Sequence, residues 1–283
     1  MAGVSMKDIK LRIKSMESTK QITKAMEMVA ASKLRRAQER IANSRPYFEI
    51  LFDTLNTIAN NTEDFYSPYL EKREIRKTCF VVIGGDRGLA GGYNSNVFKL
   101  AYGRMEGQNA CVVPIGKKCL DFFRARGVEI LTDAYAVAAE VSVGDCFTVA
   151  KMLSKGFLAG EFDSVCVVYT NFVSMLSQSP ALLELLPLEY HPRSGGTGPG
   201  CLTLYEPDSA SVFDAIIPEY LGGLIYGALC ESVTSEHGAR RTAMDAATKN
   251  AEQMISDLSL KYNRARQGAI TQEITEIVAG AES

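Results

Sequence analysis

The sequence predicts an α/β fold that combines a small Rossmann-like α/β domain with a long antiparallel coiled coil of N- and C-terminal helices. Apolar residues recur at helical spacing near both ends, and β-rich runs alternate with helical stretches between them. We therefore divide the chain into an N-terminal coiled-coil helix (1–58), an α/β globular domain (75–205) and a C-terminal coiled-coil helix (209–283).

The N-terminal segment has the composition of one long helix. Strong helix formers dominate it, and no glycine occurs between Val4 and Arg45. Pro46 either kinks this helix or ends it, because proline removes a backbone donor and clashes with the preceding turn. The apolar face is predicted to comprise Ile9, Ile13, Met16, Ile22, Met26, Val29, Leu34, Ala37, Ile41, Phe48, Leu51, Leu55 and Ile58.

The C-terminal segment repeats this pattern from about residue 218 to 278, and whether Pro218 kinks or breaks it stays open. Its predicted stripe is Leu221, Leu224, Ala228, Ala239, Ala243, Ala246, Met254, Leu258, Ala265 and Ala269. Two such long amphipathic segments indicate a coiled coil, which is antiparallel because the segments come from opposite ends of one chain.

The two ends carry opposite charge. Residues 1–45 hold 11 basic and 4 acidic residues, whereas residues 206–283 hold 6 and 12. Exposed pairs contribute only tenths of a kcal/mol each, so this charge selects the partner helix more than it stabilises the pair. The whole chain has a net charge of −2, which gives no reason to expect nucleic acid as a partner, and we see no apolar run that indicates a membrane span.

The middle of the chain reads as alternating strands and helices. Strands are predicted at 78–83, 110–115, 128–131 and 164–170, and helices at 95–105, 117–126 and 143–159. This order favours a mostly parallel sheet, and the glycine-rich stretch 192–200 is predicted to be a loop.

The sequence offers few candidate residues for catalysis or metal binding. The seven cysteines show no C-x-x-C spacing, and the two histidines, His191 and His237, do not complete a zinc site or a nucleophile–base pair. We expect reduced, buried thiols, histidines that are structural or exposed, and no cofactor or metal.

A glycine-rich turn, GGDRGLAGG at 84–92, follows a predicted strand and precedes a helix, where phosphates are often bound. The spacing of Gly85, Gly88 and Gly91 is not that of a dinucleotide fingerprint, and no Gly-Lys-Ser/Thr follows. We expect a structural turn in which Asp86 and Arg87 cap or bridge. The residues assigned to this turn are Asp86, Gly88, Gly91 and Gly92. The competing hypothesis, a freestanding nucleotide-binding α/β enzyme with helical arms, would use this turn as its site.

Four segments together resemble the gamma subunit of F-type ATP synthases. DIKLRIKSMESTKQITKAMEMVAASKLRRAQ (8–38) is similar to the N-terminal helix of that family, and ITQEITEIVAGAES (270–283) is similar to its C-terminal signature. SEHGARRTAMDAATKNA (235–251) matches the preceding helix, and DRGLAGGYN (86–94) resembles the central glycine turn, with Ala90 where bacterial members commonly have cysteine. The resemblance covers essentially the whole chain.

This resemblance implies a rotor shaft that has no active site of its own. The coiled coil would stand inside a hexamer of alpha and beta subunits, and the α/β domain would form a foot on the ring of c subunits and the epsilon subunit. Ion flow through the ring would drive rotation, and ATP would be made or hydrolysed on the beta subunits.

The resemblance also implies roles for particular residues. Residues expected to transmit torque to the beta subunits are Met26, Arg266, Gln267, Thr271 and Glu273. The apolar tip of the shaft would comprise Ile274, Ile277 and Val278, and the foot contact would comprise Tyr205 and Glu206. Arg266 suits its role because a guanidinium group can pair with carboxylates on successive beta subunits.

The resemblance is to the bacterial type. The loop 191–202 is short and holds only Cys201, so it lacks the cysteine-bearing insertion of chloroplast members, and no presequence is apparent. We expect a peripheral protein on the cytoplasmic face of the bacterial inner membrane.

Overall fold

The computed structural model describes residues 6–60, 66–188 and 205–281, without the side chains of residues 43–45, 48, 56, 59 and 60. The chain divides into two compact units. Met1–Ala31 and Arg240–Ser283 form the first, here named the coiled-coil unit, and Ser32–Ala239 forms the second, the sheet unit. His191, Cys201 and the predicted loop 192–200 lie outside the described residues.

Two long helices contribute to both units. Helix α1 spans Met6–Asn60 and helix α5 spans Ser209–Ala281, with Pro46 and Pro218 inside them, so neither proline ends its helix. Helix α5 begins before Pro218 because Asp208 caps it, accepting hydrogen bonds from the N–H and the hydroxyl of Ser211 at 2.8 and 2.7 Å. These bonds lower the pKa of Asp208.

In the coiled-coil unit the buried positions follow steps of four and three residues, which is the 3.5-residue period of a left-handed coiled coil. On α1 the buried and half-buried residues of this seam are Ile9, Ile13, Met16, Lys20, Thr23, Glu27 and Ala30. On α5 they are Met244, Thr248, Ala251, Ile255, Leu258, Tyr262, Ala265 and Ala269.

Four assignments to the predicted apolar stripes are wrong. Ile22, Val29 and Met254 are 58%, 56% and 50% exposed, and Ala246 is also exposed. A seam with a period of 3.5 residues selects neighbouring positions instead, such as the polar Thr23, which is 8% exposed.

The two helices of this unit run antiparallel, as predicted. The hydroxyls of Thr23 and Thr248 lie 2.8 Å apart, and Lys20 Nζ lies 2.9 Å from a carboxylate oxygen of Glu252. A lower number on α1 therefore pairs with a higher number on α5.

The sheet unit contains a five-stranded sheet of order β3-β2-β1-β4-β5. The strands are β1 (Lys77–Ile83), β2 (Asn109–Ile115), β3 (Glu129–Ile130), β4 (Ser164–Phe172) and β5 (Gln178–Leu186). The first four pair in parallel, whereas β5 runs antiparallel to β4. The predicted mostly parallel sheet is confirmed, although the sequence analysis did not identify β5.

Helices α2 (Tyr93–Met105), α3 (Lys117–Arg124) and α4 (Val143–Ala159) connect the strands. Because side chains alternate along a strand, Phe80 and Val82 join one core with α2 and α3, while Cys79 and Val81 join another with α4 and α5. Both faces of β1 are therefore covered.

Among the described residues, helix α5 is the one helix whose length and composition would allow it to cross a membrane. Its Ser209–Gly280 stretch has an 18-residue window of mean hydropathy 1.3 and is long and apolar enough to cross a membrane. The expectation that the sequence holds no such apolar run is therefore wrong. Ile217, Leu221 and Ile225 of α5 are at most 1% exposed, and the core helix of a soluble protein has the same composition.

Six cysteines, at 79, 111, 119, 146, 166 and 230, are buried free thiols. Burial raises the pKa of Cys146 to about 12 and the pKa of Cys166 to about 11, so both thiols stay protonated at neutral pH. This agrees with the expectation of reduced, buried thiols. His237 is half-buried in the sheet unit.

Candidate functional site

The glycine turn joins the end of β1 at Ile83 to the start of α2 at Tyr93. The N–H of Gly84 donates to the carbonyl of Ile115 at 2.8 Å, which ties the start of the turn to the neighbouring strand β2. Gly91 has a φ of +56°, a left-handed conformation that glycine adopts without steric cost.

Asp86 fastens this turn to the segments around it. Its carboxylate accepts hydrogen bonds from the backbone N–H groups of Lys117 at 3.2 Å, Ala138 at 2.8 Å and Ala139 at 3.1 Å. Asn94 fixes the turn from the other side, accepting from the N–H of Gly85 at 2.8 Å and donating to the carbonyl of Arg87 at 3.3 Å.

Side chains of this chain lie against the turn at Gly84 and Gly85, whereas a Cβ on Gly88 or Gly91 would meet no atom within 4 Å. A Cβ placed on Gly85 would lie 3.0 Å from both Cδ and Oε1 of Glu236, and 3.3 Å from Oδ1 of Asn94. A Cβ on Gly84 would lie 2.7 Å from the ring of Phe98. A phosphate cradle needs unoccupied space at its backbone, so the packing at Gly84 and Gly85 argues against a phosphate at the β1 end of this turn.

The residues expected to transmit torque lie in the coiled-coil unit. Met26 is half-buried on α1, and the side chains of Arg266, Gln267, Thr271 and Glu273 are exposed on α5. They form no enclosed site within this unit. By the Thr23–Thr248 register, Met26 lies near the level of Asp245 on α5, 21 residues before Arg266.

The end of α5 extends beyond the reach of α1. Met6 lies 17 residues before Thr23, so its level on the antiparallel α5 is 17 residues after Thr248, at Ala265. Beyond this level α5 has no helical partner among the described residues of the coiled-coil unit. Ile274, Ile277 and Val278 are accordingly 57%, 68% and 53% exposed.

The segment expected to form the foot contact directly precedes α5. Tyr205 is half-buried and packs against the larger core of the sheet unit, and Glu206 is exposed. Asp208, two residues on, caps α5, so this segment is held close to the helix start.

Sequence reasoning did not identify Glu236 as part of the turn, or Thr23 and Thr248 as partners. Their contacts join positions far apart in the chain, and neither motif nor periodicity indicates them. Among the described residues, no group of three His, Cys, Asp or Glu side chains is arranged to hold a metal ion.

These features define a class of protein. The coiled coil ends in an apolar stretch of α5 that has no helical partner among the described residues, and the same chain carries the sheet unit. This combination is typical of a mechanical and binding element. A family model described as ATP synthase matches residues 5–283. The chain is 44% identical to the ATP synthase gamma chain of Alkaliphilus metalliredigens, covering 99% of each chain, and 45% identical to that of Ruminococcus albus, covering 96% of each.

The chain therefore belongs to the family of ATP synthase gamma chains. Its fold is also that of a solved rotor structure from the Euglena gracilis mitochondrial ATP synthase. The TM-score is 0.62 at 19% identity, over 94% of this chain and 98% of that one.

Proposed function

We propose that this chain is the central rotor shaft of an F-type ATP synthase. It couples ion flow through a c-subunit ring to conformational change, and thereby to ATP synthesis or hydrolysis, at catalytic sites on beta subunits. The single observation that carries this proposal is the end of α5, which extends past α1 with exposed apolar and polar side chains. The chain itself is a non-catalytic subunit.

The coupling is differential binding. Each rotor angle stabilises one set of beta-subunit conformations, and each nucleotide state of the beta subunits favours one angle. A shaft with three-fold symmetry would bind all three beta subunits equally, whereas one coiled coil with a single protruding end presents a different face to each. The asymmetry of this one chain is therefore sufficient to distinguish the sites.

Arg266 and Gln267 are the residues proposed to engage the beta subunits most directly. Thr271 and Glu273 lie one to two turns further along α5, and Met26 lies on α1. Arg266 is exposed, so its guanidinium group is accessible to carboxylates of a partner. Guanidinium groups pair with carboxylates in a bidentate geometry, which resists displacement more than a single hydrogen bond does.

The apolar tip formed by Ile274, Ile277 and Val278 is proposed to turn in a hydrophobic sleeve made by the alpha and beta subunits. Its three side chains are all more than half exposed. Apolar contact is non-directional, so it holds the end of the shaft in place while opposing rotation less than directional hydrogen bonds would.

Tyr205 and Glu206 are proposed to contact the c-ring and the epsilon subunit. Their position before the capped start of α5 supports this, since a contact there acts on a fixed part of the fold. The complex is proposed to lie on the cytoplasmic face of a bacterial inner membrane, with this chain as a peripheral component.

The test replaces Arg266 by Ala and Gln267 by Leu in a complex reconstituted with alpha and beta subunits. We expect ATPase turnover to fall several-fold, because a polar contact to the beta subunits is lost. The matched control is Arg264→Ala with Asn263→Leu, which replaces an arginine and a side-chain amide in the same way at exposed positions two and four residues earlier. Unchanged turnover in the first variant, or an equal fall in the control, would contradict the contact role.

A further inference from the structure

Glu236 is a buried carboxylate in the middle of helix α5. Its residue is 9% exposed, and its Cδ and Oε1 lie against Gly85 of the glycine turn. A carboxylate is rarely buried in this way, because loss of hydration is unfavourable unless other polar groups compensate. Polar groups around Glu236 must therefore compensate for this loss of hydration.

The glycine turn supplies that environment. It lies directly before α2, a helix of 13 residues, and the N-terminus of a helix carries partial positive charge from its peptide N–H groups. Phosphates bind at this place in other α/β folds for the same reason. In this chain the carboxylate of Glu236 lies against Gly85, eight residues before α2 begins.

Two serines extend this contact along α5. Ser235 donates a hydrogen bond from Oγ to the carbonyl of Thr170 on β4 at 3.1 Å, and the N–H of Thr170 donates to Oγ of Ser232 at 3.0 Å. Ser232 and Ser235 are 0% exposed. We name Ser232, Ser235 and Glu236 the attachment strip, because within about one helical turn they join α5 to β4 and to the glycine turn.

We propose that Glu236, whose carboxylate lies against Gly85, is a positioning residue for torque transfer between α5 and the strands and turns of the sheet unit. The inference rests on the rotor function proposed above. Apolar packing around the strip is non-directional and can slide, whereas hydrogen bonds depend on angle and resist rotation of α5 against the sheet.

The glycine turn distributes this force further. Asp86 connects it to the first residue of α3 and to residues 138–139, and Asn94 connects it to the first turn of α2. A torque applied to Glu236 would therefore be transmitted to three segments of the sheet unit, namely α2, α3 and residues 138–139.

The test uses the complete complex in inverted membrane vesicles, where ATP hydrolysis and ion pumping are measured on the same sample. With Glu236→Ala we expect hydrolysis to stay within twofold of the parent complex and ions pumped per ATP to fall at least threefold. Glu236→Gln, which keeps the shape and removes the charge, is expected to show a smaller loss. The matched control is Glu219→Ala, which removes from the same helix a carboxylate paired with Lys151 at the surface.

Gly85→Ala provides an independent approach to the same contact. Its Cβ would lie 3.0 Å from the Glu236 carboxylate and displace it, so pumping per ATP should fall without any change to Glu236. In the double variant, Gly85→Ala with Glu236→Ala, the loss should be smaller than the sum of the two single losses, because both changes act on the Glu236 contact.

The inference is overturned if the Glu236→Gln and Glu236→Ala complexes pump as many ions per ATP as the parent complex. It is equally overturned if hydrolysis and pumping fall in proportion, since a merely structural residue would act in that way. Failure of the rotor proposal is distinguishable, because the unsubstituted chain would then not assemble with alpha and beta subunits.

Discussion

Helix α5 is enclosed in the sheet unit but only half covered in the coiled-coil unit. In the sheet unit Ile217, Leu221 and Ile225 are at most 1% exposed, whereas in the coiled-coil unit Met254 and Leu260 are 50% and 58% exposed. A single helix partner covers one stripe, while a sheet and further helices cover several faces. One continuous helix thus obtains most of its stability at one end and offers its surface to partners at the other.

The largest difference between the units should appear in amide hydrogen exchange of the free chain. We expect residues 217–225 to be protected at least 1000-fold more than residues 270–280, a difference of about 4 kcal/mol. The end of α5 has no helical partner among the described residues, so its hydrogen bonds open locally. Adding alpha and beta subunits should slow exchange at 270–280. Equal protection of both segments in the free chain would contradict the comparison.

The next largest effect should come from one substitution made at two places on α5. Leu221→Ala is expected to lower the free energy of unfolding by about 3 kcal/mol, because it leaves a cavity in an enclosed core. Leu258→Ala, at a half-buried seam position, is expected to cost about 1 kcal/mol. Urea unfolding of the two variants measures the difference, and equal losses would show that the seam is as tightly packed as the core.

Within the coiled-coil unit, the hydrogen-bonded pair of Thr23 and Thr248 should contribute more to the free energy of unfolding than the small size of these side chains suggests. Thr23 and Thr248 are 8% and 7% exposed, and Thr248 also donates to the carbonyl of Met244 at 2.9 Å. Thr23→Val is expected to cost about 1 kcal/mol, since it removes the partner of a buried hydroxyl. The double variant with Thr248→Val should cost less than the sum of the single changes. Additive losses in a double-mutant cycle would show that the hydroxyls do not interact.

The smallest effect is expected at the ion pair of Lys20 and Glu252, whose side chains are 43% and 51% exposed. A double-mutant cycle with Lys20→Met and Glu252→Gln should give a coupling of only a few tenths of a kcal/mol. This coupling should become smaller in about 0.5 M salt, because the Debye length then falls to about 4 Å and the exposed charges are screened. A coupling above about 1 kcal/mol that persists in salt would show that surface charge holds the helices together.

The sequence was sufficient to predict both long helices, their antiparallel pairing and four of the strands. These features depend on local periodicity and composition, which can be recognised in the sequence without knowing which segments pack together. The seam itself was predicted less well, because Ile22 and Val29 are apolar and yet exposed. Hydrophobicity alone does not indicate which of two neighbouring helix faces meets a partner, and burial of Thr23 depends on Thr248, which lies 225 positions away.

Strand β5 was missed for a related reason. Its sequence, QSPALLELL, contains a proline and several good helix formers, and pairing with β4 decides its conformation. Pro180 is tolerated because β5 is the edge strand of the sheet. In the glycine turn, the motif was sufficient to predict that Asp86 bridges neighbouring segments. The contact between Gly85 and Glu236 could not be predicted, because these residues are 151 positions apart in the sequence.

The 3.5-residue spacing of the seam gives the coiled-coil unit a handedness, and handedness matters under twist. A left-handed coiled coil of two helices is wound more tightly by a twist in its own sense and is unwound by a twist in the opposite sense. The resistance of this unit to torsion should therefore differ between the two directions of rotation. The same chain would then store more elastic energy per degree in one direction of turning than in the other.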